Sequence, residues 1–248
     1  MTRKDTIVVQ LRNPTGKGEP LPVLRVFDDV KMLRLKRAFL EDTLRQVAEI
    51  KNVDLKVAVA PPSRATWAKE AIEHLMARFS DRKGFADLAD RTEIITQATD
   101  PLPKRTAENL RRCLENGYQR TVLVGGFTPT LDPQRVEDAL HHLRKHPLIL
   151  GPTIEGGCYL IGLRSDCREA IGLVTVGSDV AYKESTAALK KAGLPWQEID
   201  LSYDVGHQED LEYVVREINH CRYTGDEETG RCTELILSEF IKETPTSL

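Results

Sequence analysis

The chain has 248 residues and a net charge of −3, from 35 Lys and Arg against 38 Asp and Glu. This length fits one large α/β domain, and the near-neutral charge supplies no basic field for a nucleic-acid backbone, so nucleic acid is not expected as a partner. No stretch is apolar over the length of a membrane span or a signal-peptide core, and five cysteines without a C-x-x-C pair fit reduced thiols. A cytoplasmic protein that does not bind membranes is therefore expected.

The first half of the chain alternates between strand and helix patterns. Strands are predicted at residues 6–11, 55–60 and 94–95, and helices at 28–50, from an N-cap at Ser63 to about 79, and at 106–116. Such alternation is typical of an α/β fold in which helices cover both faces of a mainly parallel sheet.

The central part of the chain contains the strongest ligand-site pattern. The apolar run Thr121 to Val124 predicts a strand covered on both faces, and it ends in Gly125-Gly126. Ligands in open α/β sheets bind at the carboxyl ends of strands, so the loop that follows is the predicted ligand side. Asp132 and Pro133 then predict the N-cap and first residue of a helix.

A second apolar strand at 148–150 is followed by Glu155-Gly156-Gly157 and by a third strand at 158–162. The two glycines let the backbone approach a neighbouring group closely. Beyond this unit, a helix over 177–192 is predicted to stop at Gly193, and a last strand over 196–201 leads to Asp204 and a final core helix.

Segments 122–131, 150–152 and 155–163 together resemble a little-characterised family of bacterial and archaeal transferase-like proteins with the GT-A, nucleotide-diphospho-sugar transferase fold. The matched residues are Val-Leu-Val-Gly through Pro-Thr-Leu, then Leu-Gly-Pro, then Glu-Gly-Gly-Cys-Tyr-Leu-Ile-Gly-Leu. The resemblance implies a three-layer α/β sandwich with a mixed, mainly parallel sheet over residues 1–220. Residues 221–248 are predicted to form a C-terminal extension with a short amphipathic helix.

The resemblance also implies site residues. Glu155 replaces the family's Asp on the Gly-Gly loop and is the candidate catalytic acid; a loop-stiffening cap is its alternative role. Arg12 and Lys17, after the first strand, are candidates for contacts with phosphates, although Gly18-Glu19-Pro20 stands where the family has basic residues. The remaining candidates for substrate binding are Gly125, Gly126, Gly156, Gly157 and Asp204.

The metal-binding acids of the family are replaced in this chain. Its first acid falls on Phe127, which cannot hold a cation, and its second falls on Gly206. His207 is a substitute ligand in one interpretation and a surface imidazole in the other, which is favoured. No metal is therefore predicted, and Mg or Mn is expected only if the protein is an active transferase.

Two functions follow from these replacements. One is glycosyl or nucleotidyl transfer from a nucleotide-activated donor, and the other is a catalytically silent protein that binds a ligand or partner through the same cleft. A nucleotide or sugar nucleotide is the expected small-molecule partner in the first case. The sequence leaves a homo-oligomer open.

Overall fold

The computed structural model describes residues 4–11, 27–98, 100–206 and 209–243. Its seven strands are β1 (Asp5–Gln10), β2 (Val53–Val59), β3 (Thr92–Thr96), β4 (Arg120–Gly125), β5 (Leu148–Pro152), β6 (Cys158–Arg164) and β7 (Gln197–Glu198). They form one sheet in the order β3-β2-β1-β4-β6-β5-β7. Among these strands, β6 alone runs antiparallel to its neighbours, β4 and β5.

Helices cover both faces of the sheet because alternate strand residues point to opposite sides. Ile7 and Val9 pack against one layer, and Val8 packs against the other. The first layer contains α1 (Asp29–Ala48), α2 (Ala65–Arg78), α3 (Lys83–Ala86), α5 (Pro133–His142), α7 (Asp210–Tyr223) and α8 (Arg231–Glu243). The second contains α4 (Leu102–Glu115), a 3₁₀ segment at Ser165–Leu173 and α6 (Ala181–Ala192). The expected three-layer α/β architecture with a mixed, mainly parallel sheet is confirmed.

Local sequence signals set several helix ends. Asp132 caps α5 by accepting a 2.9 Å hydrogen bond from the Gln134 backbone N–H, with Pro133 as the first helical residue. Gly193 ends α6 in the left-handed conformation, at φ +67°. The predicted Ser63 cap is wrong, because a 3₁₀ turn at Pro62–Arg64 leads directly into α2 and no side chain caps that helix.

The predicted strand over 196–201 is reduced to two residues, Gln197 and Glu198. It lies at the edge of the sheet and pairs only with β5, so little backbone pairing holds it.

The C-terminal helix α8 packs on α1. The carboxylate of Asp42, a residue of α1 that is 1% exposed, accepts hydrogen bonds from the backbone N–H groups of Cys232 (3.0 Å) and Thr233 (2.8 Å). These donors lie in the first turn of α8, so a side chain from a distant helix acts as its cap. Further along α8, Phe240 belongs to the same core as α1. The boundary expected after residue 220 falls inside α7.

Every helix in the described part of the chain is too short or too polar to cross a membrane.

Candidate functional site

A cavity of about 290 Å³ opens at the edge of the sheet where β1 and β4 end. β5 is parallel to β4 and ends at the same edge, while the antiparallel β6 begins there. The loop between β5 and β6, residues 153–157, is therefore brought beside the end of β4. The cavity wall includes Gln10, Gly125, Glu155, Gly157 and Asp204.

Hydrogen bonds fix the 153–157 loop. The Gly156 N–H donates to the Thr153 carbonyl (2.9 Å), and the Gly157 N–H donates to the Thr153 hydroxyl (2.9 Å). Gly156 has φ +90°, and a Cβ atom at this position would lie 2.1 Å from the carbonyl oxygen of Asp179. Only glycine allows both the left-handed backbone and this close approach. The loop is thereby locked against the segment that precedes α6.

The Glu155 carboxyl lies in the cavity wall at partial burial. Burial raises the pKa of this carboxyl, and the negative charges of Asp210 and Asp204 raise it further. Hydrogen bonds from its own backbone N–H and from the Thr153 hydroxyl act in the opposite direction and hold the group in place. A carboxyl with a raised pKa in a cavity is chemically suited to accept or donate a proton.

Asp204 is 7% exposed and closes the cavity beside the end of β4. A Cβ atom on Gly125 would lie 3.4 Å from Asp204 Oδ1, so the glycine leaves room for the carboxylate. The next glycine, Gly126, packs against the end of β1, where its N–H donates to the Gln10 carbonyl at 2.9 Å. The glycine pair thus brings β1, β4 and Asp204 together.

A buried polar network forms the wall on the β1 side. The Gln10 side chain donates to the Thr106 hydroxyl (3.1 Å) and accepts from the Asn109 amide (3.1 Å). Both Gln10 and Thr106 line the cavity, and sequence reasoning missed them. The available signal was a glutamine directly after the apolar run at residues 7–9 of β1, since a buried polar group needs partners.

The described residues do not fit the divalent cation that the family resemblance implies. Phe127 is 2% exposed and packs in the core with its ring centroid 5.9 Å from that of Phe39. Gly206 contributes no side chain to the cavity that it lines. Within the described ranges, no group of three His, Cys, Asp or Glu residues is placed to hold a metal ion. A hard cation needs several oxygen ligands at once, and these positions do not provide them.

The structure thus brings together four of the predicted site residues, Gly125, Glu155, Gly157 and Asp204. Gly126 and Gly156 do not line the cavity, but they pack closely against the backbone of two residues that do, Gln10 and Asp179. Arg12 and Lys17, the candidates for phosphate contacts, and His207, the less favoured candidate for a metal ligand, lie outside the described residues.

Cys158 and Tyr159 are consecutive residues of β6, so their side chains start towards opposite faces of the sheet. Both residues contribute to the wall. Tyr159 is nonetheless 1% exposed, and its hydroxyl donates to the Asp200 carbonyl at 3.0 Å. Burial raises the pKa of the Cys158 thiol to about 12, so this thiol is not a nucleophile near neutral pH.

Comparison with solved structures identifies the same fold in several other proteins. A candidate nucleotide-diphospho-sugar transferase from Desulfovibrio desulfuricans G20 is similar with a TM-score of 0.71 at 21% identity, over 97% of this chain and 96% of that one. A cytidylyltransferase from Leptospira borgpetersenii has a TM-score of 0.53 at 12% identity, over 100% and 99%. A CMP:2-keto-3-deoxy-manno-octonic acid synthetase complexed with CTP has a TM-score of 0.53 at 12% identity, over 87% and 99%. At these identities the likeness shows the fold, the nucleotide-diphospho-sugar transferase fold, and not the activity.

No curated protein matches the sequence. A family model matches residues 43–178, more than half of the chain. The chain therefore belongs to the family described as uncharacterized proteins conserved in bacteria (DUF2064).

Proposed function

We propose that the protein transfers a glycosyl or nucleotidyl group from a nucleotide-activated donor to an acceptor hydroxyl bound in the cavity. The observation that carries this proposal is the Glu155 carboxyl, whose pKa is raised by burial and by neighbouring negative charges at the ligand edge of the sheet. The shared fold with nucleotide-dependent transferases supports it by analogy.

In this proposal Glu155 acts as the general base. Its carboxylate takes the proton of the acceptor hydroxyl while the hydroxyl oxygen attacks the donor, and the bond from the transferred group to its phosphate leaving group breaks. Asp204 accepts hydrogen bonds from other hydroxyls of the acceptor and so orients it. Arg12 and Lys17 remain the predicted contacts with donor phosphate.

A second candidate function is ligand binding without turnover. It is favoured by the burial of Phe127 in the core and by the bare backbone at Gly206, the two positions where the resembled family carries acids. In both proposals, binding does not depend on a divalent cation held by these two positions.

The decisive experiment combines binding with turnover. A panel of nucleotides and sugar nucleotides is screened by thermal shift with and without magnesium, and release of free nucleotide or pyrophosphate is then measured with candidate acceptors. A ligand at about a hundred times its Kd stabilises the protein by about 2.7 kcal/mol, which gives a clear rise in Tm. We expect the same rise with and without magnesium.

Glu155→Gln separates the two functions. If Glu155 is the base, the variant loses about 10²- to 10⁴-fold in turnover while its ligand-induced rise in Tm persists. Glu115→Gln, an exposed carboxylate at the end of α4, is the matched control and should leave both quantities unchanged. Binding without turnover in the unmodified protein would support the second function, and absence of nucleotide binding would contradict the first.

A further inference from the structure

Two polar side chains in the cavity wall are almost completely buried. Gln10, the last residue of β1, is 2% exposed, and Thr106, in the second turn of α4, is 5% exposed. The Gln10 amide N–H donates to the Thr106 hydroxyl oxygen at 3.1 Å. Asn109 and Gln97, which are also buried, lie behind this pair. A chain of buried polar residues therefore leads from the cavity wall into the protein.

A backbone carbonyl fixes the direction of the hydrogen bonds in this chain. The Gln97 amide N–H donates to the Arg105 carbonyl at 3.2 Å, so the Gln97 amide oxygen faces Asn109. The Asn109 amide N–H groups donate to this oxygen (3.3 Å) and to the Gln10 oxygen (3.1 Å). Turning any one of the three amides round would set two oxygens or two N–H groups against each other. The Gln10 N–H groups are thereby held on the side of Thr106.

The Thr106 hydroxyl proton has no acceptor in the described part of the chain. The hydroxyl makes one hydrogen bond to a described residue, in which it accepts from Gln10. Threonines in helices often donate to the carbonyl four residues earlier, as Thr43 and Thr186 do at 2.8 and 3.0 Å, but Thr106 makes no such bond. The second hydrogen of the Gln10 amide is likewise without an acceptor among the described residues. Because buried donors are nearly always paired, these two predict an acceptor atom on the cavity side.

The surroundings of this donor pair limit the kind of acceptor atom. Leu102 lies one helical turn before Thr106, and Leu123 lies on the neighbouring strand β4, and both line the cavity. None of the described residues that line the cavity is Lys, Arg or His. A carboxylate or phosphate oxygen would therefore lose its hydration here without gaining a cationic side chain in the wall. An uncharged carbonyl oxygen next to a small apolar group fits better, because it accepts both hydrogen bonds and its apolar neighbour contacts the leucines.

The Glu155 carboxyl lies at the other side of the cavity from this donor pair. Two strand spacings, about 10 Å, separate β1 from β6, which begins directly after the loop that carries Glu155. A cavity of about 290 Å³ is at the lower end of small-molecule sites and matches one compound of monosaccharide size. Such a compound can reach from the donor pair towards Glu155.

We propose that the acceptor is a sugar-sized compound with an acetamido group, whose carbonyl oxygen accepts hydrogen bonds from Thr106 and Gln10. Its methyl group packs against the two flanking leucines, and its hydroxyl groups lie towards Glu155. Asn109 and Gln97 are positioning residues, which keep the two donors directed at the ligand. This assignment rests on the proposed function only in taking the cavity as the acceptor side of a transfer reaction.

The test compares N-acetyl-D-glucosamine with D-glucose, which has a hydroxyl group in place of the acetamido group. Their Kd values are measured by calorimetry on the unmodified protein. We expect the acetamido sugar to bind at least about tenfold more tightly, because it adds two hydrogen bonds to buried donors and buries a methyl group.

Substitutions of Thr106 test the donor itself. Thr106→Val removes the hydroxyl at similar volume and should reduce the preference for the acetamido sugar about fivefold or more. Thr106→Ser keeps the hydroxyl and should keep the preference. Thr186→Val makes the same change in α6, at a residue that does not line the cavity, and should leave the preference unchanged. The melting curve of each variant shows whether it is folded.

Asn109→Leu tests the positioning. It keeps the approximate size of the side chain but removes the N–H groups that hold the amides of Gln10 and Gln97, so the Gln10 amide can turn its oxygen to the cavity and the preference should fall several-fold. If this variant does not fold, Gln97→Leu breaks the same chain of hydrogen bonds one step earlier. In the unmodified protein, the side-chain N–H signals of Gln10 in an NMR spectrum should shift more with the acetamido sugar than with glucose.

Equal or weaker binding of the acetamido sugar, a preference that survives Thr106→Val, equal losses in Thr106→Val and Thr106→Ser, or no binding of either sugar would overturn the inference. A preference that persists without the Asn109 amide would overturn the positioning role. Nucleotide binding and turnover are measured separately on the same protein. If nucleotides bind and turn over while the sugars show no preference, the acetamido assignment fails and the proposed function stands. If the acetamido sugar is preferred and no nucleotide binds, the proposed function fails and the assignment of the donor pair stands.

Discussion

The pH dependence of stability should depend strongly on Asp42, the α1 residue that caps α8. Burial raises the pKa of its carboxyl from 3.8 to about 6, although hydrogen bonds from Thr233 and Cys232 oppose this rise. The folded-state pKa of Asp42 therefore lies above its unfolded value. The stability that Asp42 contributes is fully present below about pH 4 and is lost as the pH rises through 6. A shift of about two pKa units corresponds to about 3 kcal/mol.

Asp42→Asn replaces this carboxyl with a group that stays neutral at every pH. Between about pH 4 and pH 7, the unmodified protein should lose up to about 3 kcal/mol more in free energy of unfolding than the variant does. At low pH the variant should be less stable by about 1 kcal/mol, because its one amide oxygen replaces a carboxyl that receives two backbone N–H groups.

Urea unfolding followed by tryptophan fluorescence at several pH values measures both quantities. Asp90→Asn, at an exposed aspartate, is the control and should show the pH profile of the unmodified protein. If the difference in free energy of unfolding between Asp42→Asn and the unmodified protein is constant with pH, or changes in the opposite direction, then the backbone hydrogen bonds balance or outweigh burial at Asp42 and the reasoning is refuted.

Three further changes test the site. Gly156→Ala should lower the free energy of unfolding, measured in urea, by several kcal/mol, because its Cβ would meet a backbone carbonyl oxygen at 2.1 Å. In the control Gly193→Ala the Cβ meets nothing within 4 Å, so only the left-handed backbone should cost stability, by about 1–2 kcal/mol. Similar losses in the two variants would contradict the close approach at Gly156. Thr153→Val removes a hydroxyl that lowers the pKa of Glu155, so that pKa should rise in an NMR titration; a fall would show that the hydroxyl does not stabilise the carboxylate. Phe127→Ala should lower the free energy of unfolding by about 3–5 kcal/mol, because it removes a buried ring that packs against Phe39, and a loss well below this range would contradict its place in the core.

The sequence predicts those parts of the fold that depend on neighbouring residues. The continuous apolar run before Gly125 identifies a central strand, because only a strand covered on both faces has no polar alternation. Asp132 and Pro133 identify the start of α5 for a similar reason, since a cap and its N–H donors lie within a few residues of each other.

The sequence does not predict contacts between distant segments. The approach of Asp179 to Gly156 and the capping of α8 by Asp42 join residues far apart in the chain, and no local pattern records them. The sequence could show that Phe127 is unable to hold a cation. That its ring belongs to the core follows only from the packing against Phe39.

The reversed direction of β6 has a consequence for how chains of this family can vary in length. Because β6 pairs with β5 on one side and β4 on the other, the loop that carries Glu155 joins two strands whose registers are both fixed inside the sheet. An inserted or deleted residue that shifted either strand by one position would turn its apolar side chains to the opposite face. Nor could the loop absorb the change, because hydrogen bonds at 2.9 and 3.0 Å already close it between Thr153 and Gly157. Insertions and deletions in related chains are therefore expected elsewhere, and residues 153–157 should keep their length even where their side chains differ.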